Sequence, residues 1–300
     1  MSEQTFDFQS DGLKLSGIVH VPDDLAKGEK RPAFLVLHGF GSNKLSGSAS
    51  GPAKMLEKLG YVALRFDMRG CGVSEGEHAR IICLEQVSDT QNALTALAKH
   101  PAVDGKRIAV VGTSFGGAVA CYAGGVDERI AAVISNGGWG DGERKFRGQH
   151  PTPEKWKKFT DMLAEGKRHR ERTGTSLMVP RQDIVPIPQH VGDGLASQNI
   201  RMFPPGSIEA FPAETAQSMF DFRADDVVGK IAPRPLMLMH AANDSVTPTE
   251  QSVELFKHAG QPTELHLLSG VDHFMFHENS TRVWSLIQGW LDHYFPVKVQ

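Results

Sequence analysis

Cysteine is scarce. The 300 residues hold three, Cys71, Cys83 and Cys121, an odd number with no metal-like spacing. That argues against a disulfide framework and for free thiols in a reducing cytosol, so a cytoplasmic protein is expected. No apolar run reaches the ~18 residues that a membrane-spanning helix needs. The opening residues are polar and acidic where a secretory signal would be basic and then apolar, so none is expected. Charge of one sign is lacking too: the formal net charge is −3, which exerts no global pull toward nucleic acid or membrane. There is no internal repeat and no low-complexity segment. No His/Asp cluster has ligand spacing, so neither a metal nor a cofactor is expected. What remains is ordinary globular composition, 40% hydrophobic and 22% charged, in a chain long enough for a sizeable core.

The pattern along the chain is informative. Residues 5–9 and 13–21 read as two strands joined at Ser10-Asp11-Gly12, a hairpin turn sequence. From residue 32 to 137 buried strands (32–37, 61–66, 107–112, 130–134) alternate with helical patterns around Met55, Leu56 and Leu59, over 86–100, and over 118–123. One-for-one alternation implies a parallel sheet with helices on both faces, its functional groups at the carboxyl ends of the strands. Alternation stops at Gly137 and resumes with strand 235–240, helix 248–258, strand 264–268 and an amphipathic closing helix over 283–294. The apolar face at 283–290 either packs on the sheet or forms a contact in a homo-oligomer. Residues 138–230 are then an insertion on a core made of 1–137 and 231–300. They carry frequent prolines and eight aromatic residues, including Trp139, Trp156 and Phe203, too many for disorder. We expect a lid, with those three rings as candidate substrate contacts. Between residues 143 and 172 ten Lys or Arg face five Asp or Glu. This excess is either a solvated helix face or a basic rim that attracts an anionic substrate or a docking partner.

The chemistry centres on Gly112-Thr113-Ser114-Phe115-Gly116, between a strand and a helix. G-x-S-x-G in that setting is a sharp turn that holds one serine out at the sheet edge, beside a helix N-terminus. A serine hydroxyl needs a base within reach, and the base needs a carboxylate to hold its tautomer. Asp244 and His273 follow successive later strands, each in the loop at a carboxyl end. The competing candidates are His277 as base, Asp272 as acid, and Asp225 or Asp226 as ties between lid and body.

With those residues in view, the chain resembles the α/β-hydrolase superfamily over nearly all its length except the insertion. His38-Gly39-Phe40 resembles the family's oxyanion loop. Asp67-x-Arg69-Gly70-x-Gly72-x-Ser74-x-Gly76 resembles its usually structural loop after the next strand. Residues 231–238, with Asp244 and Pro248, are similar to the dienelactone-hydrolase and acylaminoacyl-peptidase branches, a look shared by bacterial esterases and some fungal polyketide acyltransferases. The resemblance implies an α/β-hydrolase fold with a mostly parallel eight-stranded sheet. It also implies Ser114 as nucleophile, His273 as base, Asp244 as orienting acid, and the N–H groups of Phe40 and Phe115 as oxyanion hole. His38 is expected to fix the oxyanion loop and Arg69 to brace loops.

The activity expected is a serine hydrolase that cleaves a small-molecule carboxylic ester or lactone. Thioester, amide and carbon–carbon hydrolysis, and acyl transfer to an acceptor other than water, are the alternatives within the chemistry. A non-catalytic binding module on the same fold is the alternative outside it. A lid of roughly ninety residues is larger than the dienelactone type needs, so substrate class does not carry over.

Overall fold

Asp11 and Gly12 both take positive φ, 50° and 82°, and close a two-residue hairpin between β2 (Phe8–Ser10) and β3 (Leu13–Leu15). In the computed structural model, which describes residues 2–276 and 281–298, this ribbon is separate from the main sheet. The two expected strands are in fact four. β1 (Ser2–Thr5) pairs with β4 (Gly17–Val21), while Ser16 leaves the hairpin to bond the Asp67 N–H and the Ser74 hydroxyl.

β5 (Arg31–Leu37), α1 (Gly47–Lys58), β6 (Val62–Phe66), α2 (Cys83–Leu97), β7 (Val103–Thr113), α3 (Phe115–Val126) and β8 (Ile130–Asn136) follow in the alternation expected. Beyond the insertion come β11 (Leu236–Ala241), α10 (Glu250–His258), β12 (Thr263–Leu268) and α11 (Thr281–Tyr294). The eight-stranded sheet runs β1-β4-β6-β5-β7-β8-β11-β12, antiparallel at β1–β4–β6 and parallel from there on. Its central strands are buried along most of their length, as two covered faces require. α1 and α11 cover one face; Val283, Ile287 and Trp290 are buried there, so the apolar side of α11 is used on the sheet. α2 and α3 cover the other.

Residues 138–230 form α4 (Gly142–Gln149), α5 (Pro153–Thr173), β9 (Met178–Pro180), α6 (Arg181–Ile184), α7 (Gln189–Ser197), β10 (Ala210–Pro212), α8 (Ala213–Asp221) and α9 (Asp225–Val228). The longest of these has a complete local code. Thr152 accepts from the Lys155 N–H, Pro153 opens the first turn and Gly174, at φ 72°, ends the helix. Phe146, Phe159, Trp139 and Phe211 bury in the same apolar core as α2 and α3, so the insertion packs continuously with the sheet face. The basic excess is largely a solvated face. Lys157, Lys158 and Arg168 are exposed and paired with Asp161, Asp183 and Glu165. None of the ten cations lines the cleft described below.

Candidate active site

Ser114 sits between β7 and α3 with φ 56° and ψ −115°, a left-handed conformation that a side chain rarely adopts. Two glycines make the bend feasible. A Cβ on Gly112 would drive into the Gly116 carbonyl, and one on Gly116 would stand 2.6 Å from the Leu37 carbonyl. Strand and helix therefore touch where the serine is presented. Ser114 precedes the helix yet makes no side-chain capping bond, so its hydroxyl is not committed to α3. The first N–H groups of that helix, Phe115 among them, have no acceptor within the helix.

Asp244 and His273 meet across two strand ends. His273 Nδ1 lies 2.8 Å from Asp244 Oδ2 and 3.0 Å from Oδ1. The main chain fixes the carboxylate further, with Oδ1 accepting from the N–H groups of Val246 at 2.8 Å and Thr247 at 2.7 Å. Burial opposes its charge, but the interactions with His273 and His240 outweigh burial and hold the carboxyl well below the usual range. Asp272 has a different task, for its Oδ1 accepts from the N–H groups of Ser245 and of His273 itself. His277 lies outside the described residues.

Ser114 and His273 line one cleft, with about 450 Å³ of empty space counting its mouth. Gly39, Phe40 and Thr113 border it on the sheet side, and Val246 and Phe274 come from the two later loops. The insertion contributes Arg181, Val185, Ile187, Met202 and Phe203. Gly39 abuts the serine, since a Cβ there would be 3.9 Å from that of Ser114. His38 holds this loop, with Nδ1 on the Gly39 carbonyl at 2.9 Å and Nε2 accepting from the Met68 N–H at 3.3 Å. Burial keeps its pKa below the ordinary value, favouring the neutral ring this bonding needs. Arg69 braces the neighbouring loops through Asp89, Asp11 and Ser10. Asp225 pairs with Arg144 at 2.8 Å, and Arg144 also reaches Gln251 of α10.

Of the three candidate aromatic contacts, the structure brings only Phe203 to the cleft. Trp139 is fully buried behind it, 5.8 Å from the Phe115 ring between centroids. Trp156 packs on Phe159 and Phe220 beneath Arg147, away from Ser114. Aromatic content in an irregular stretch does not distinguish a ring in the insertion's own core from one in a pocket. Two groups escaped the sequence reading. Arg181 borders the cleft, and His240 reaches Asp244, its Nε2 3.2 Å from Oδ2. His240 is buried in a strand, where a histidine reads as one more core position; its spacing of four from Asp244 was the available signal. Among the described residues no group of three His, Cys, Asp or Glu could hold a metal ion.

The chain belongs to the alpha/beta hydrolase family, whose sequence model matches residues 34–285. It is similar to the polyketide transferase grgF of Penicillium sp, 27% identical over 271 residues that span 88% of this chain and 86% of that one. The crystal structure of that protein superposes with a TM-score of 0.77 at 24% identity, covering 97% of each chain. The thiohydrolase aneE of Aspergillus aculeatus is 26% identical over 281 residues, 88% of this chain and 83% of that one. The esterase domain of a Rhodothermus marinus protein shares the fold at a TM-score of 0.61 and 21% identity, over 98% of this chain and 99% of that one.

Proposed function

We propose that this protein is a serine hydrolase acting on a carboxylic ester or lactone through an acyl-enzyme. The observation that carries the reading is the 2.8 Å contact of His273 with Asp244 in the cleft that Ser114 lines. His273 takes the Ser114 proton as the hydroxyl oxygen attacks the carbonyl carbon, and Asp244 orients the ring and stabilises the imidazolium. The N–H groups of Phe40 and Phe115 receive the oxyanion. As the tetrahedral intermediate collapses, His273 protonates the leaving oxygen and the acyl group stays on Ser114. Water, deprotonated by the same imidazole, then releases the acid. The insertion acts as a lid, and Phe40, Val185, Ile187, Met202, Phe203 and Phe274 suit an apolar or aromatic acyl group.

A second reading, acyl transfer from a thioester or to an acceptor other than water, is supported by the relatives named polyketide transferase and thiohydrolase. Both share the acyl-enzyme and differ in what enters and leaves. A panel of p-nitrophenyl esters, lactones, acyl thioesters and aminoacyl anilides, run with wild type and Ser114→Ala, separates them. Ester or lactone turnover abolished by Ser114→Ala is expected. Cleavage of anilides alone would overturn the esterase reading, and thioester turnover accelerated by added alcohols would favour transfer.

A further inference from the structure

The loop that carries Phe40 has two sides. One faces Ser114 through Gly39; the other is gripped by the insertion, and the grip converges on Arg181. Its Nη1 donates to the Phe40 carbonyl at 2.7 Å and its Nη2 to the Gly41 carbonyl at 3.1 Å. Nε and Nη2 donate to the Ile208 carbonyl at 3.1 and 2.5 Å. The guanidinium carbon lies 4.4 Å from the Phe203 ring centre, 5.3 Å from that of Phe211 and 5.4 Å from that of Phe40. Phe40 and Phe211 are themselves stacked at 4.2 Å. Gly41, at φ 57°, has no room for a side chain, because a Cβ would be 2.7 Å from Arg181 Nη2 and closer still to Phe211.

These four bonds go to main-chain carbonyls and none to a carboxylate. Burial pushes the guanidinium pKa down to about 10, with Cys71 and Glu209 acting in the other direction. A cation kept this way retains its field instead of cancelling it in an ion pair, and it borders the cleft that Ser114 lines. A surface strut would need neither the burial nor three carbonyl partners. The bond to the Phe40 carbonyl fixes the peptide that follows Phe40, while the His38 bond to the Gly39 carbonyl fixes the peptide that carries the Phe40 N–H; Arg181 thus closes the second of two clamps, one on each side of the Phe40 Cα.

We propose that Arg181 is a positioning residue for the oxyanion hole: it holds the Phe40 arm in its donating orientation, which makes the insertion part of the catalytic apparatus as well as its cover. This rests on the serine-hydrolase reading above. Oxyanion donors act by being fixed before charge develops, and loss of one costs about 10²–10³ in turnover. Lysine replaces the arginine only in part, since an ammonium is a point donor that does not span three carbonyls.

The test uses the intact protein, with wild type, Arg181→Met, Arg181→Lys and Arg181→Ala compared on the best ester of the panel and on a fluorophosphonate, whose phosphoryl oxygen occupies the oxyanion hole. Wild-type labelling at Ser114 checks the underlying reading separately. Arg181→Met should lower kcat about 10²-fold with KM changed by less than about threefold, and slow phosphonylation in parallel. Arg181→Lys should recover only part of the loss, and ethylguanidinium should restore Arg181→Ala. Unlabelled wild type would overturn both readings. Labelled wild type with equal rates in the variants, a change in KM alone, or loss of activity with melting temperature and no guanidinium rescue would overturn the positioning role alone.

Discussion

His240 Nε2 stands 3.2 Å from the same Asp244 oxygen that meets His273, so one carboxylate serves two imidazoles. The outer ring is itself fixed, with Nδ1 2.6 Å from the Ser252 hydroxyl and Nε2 3.0 Å from the Thr247 carbonyl. His240→Phe keeps a ring in the strand and removes the polar contacts. It should lower kcat/KM about tenfold, the scale of one hydrogen bond to a charged group. Unchanged steady-state kinetics would show that the main-chain donors of Val246 and Thr247 hold Asp244 without help.

Asp244 also links the site to acid stability. Its folded pKa lies below that of the unfolded chain, ordinarily about 3.9, so its contribution is complete above that value and fades as pH falls below it. Asp244→Asn should remove this part of the acid unfolding, so urea midpoints of the variant fall less than wild type between about pH 5 and pH 2. The same change should cost about 10⁴ in kcat, because the amide selects the wrong tautomer of His273. Parallel acid unfolding of the two proteins would contradict the linkage.

Lys145 on α4 is buried between the rings of Trp139, at 4.8 Å, and Phe146, at 3.9 Å, and its ammonium donates to Gln149. Burial pushes its pKa down to about 7. Between that pH and the ordinary lysine value, about 10.4, the unfolded chain binds more protons, so stability rises with pH by up to about 1.4 kcal/mol per unit. Lys145→Met should lack this slope. The difference in urea midpoint between wild type and variant should move in favour of wild type from pH 7 to pH 9, and a constant difference would contradict a buried, titrating lysine.

Gly112→Ala places a methyl against the Gly116 carbonyl, main chain on main chain, where no rotamer offers relief. It should destabilise the fold by about 3 kcal/mol or more and lower activity with it, measured by denaturant midpoints. A variant with wild-type stability would show that strand and helix are farther apart at this bend.

Much of this was legible from one dimension because it depends on near neighbours. Strand–helix alternation, the glycines around Ser114 and the strand-end positions of Asp244 and His273 are local signals that each imply a place in a parallel sheet. The split of the first hairpin at Ser16 was not, because it depends on partners, Asp67 and Ser74, some fifty to sixty residues away. Arg181 was hidden for the same reason: its meaning comes from carbonyls 140 and 141 positions distant. In the insertion, hydrophobic pattern found α5 but could not sort rings that face the cleft from rings that fill the space behind it. Trp139 and Phe203 look alike in sequence, and only the fold buries Trp139 against Phe115 and puts Phe203 on the cleft.

Covalent capture tests directly whether Ser114 is the nucleophile. Intact protein treated with a fluorophosphonate and analysed by peptide mass spectrometry should carry one adduct, on the peptide containing Ser114. The adduct should disappear in Ser114→Ala and form far more slowly in His273→Ala. No adduct, or one that persists undiminished in Ser114→Ala, would show that Ser114 is not the nucleophile.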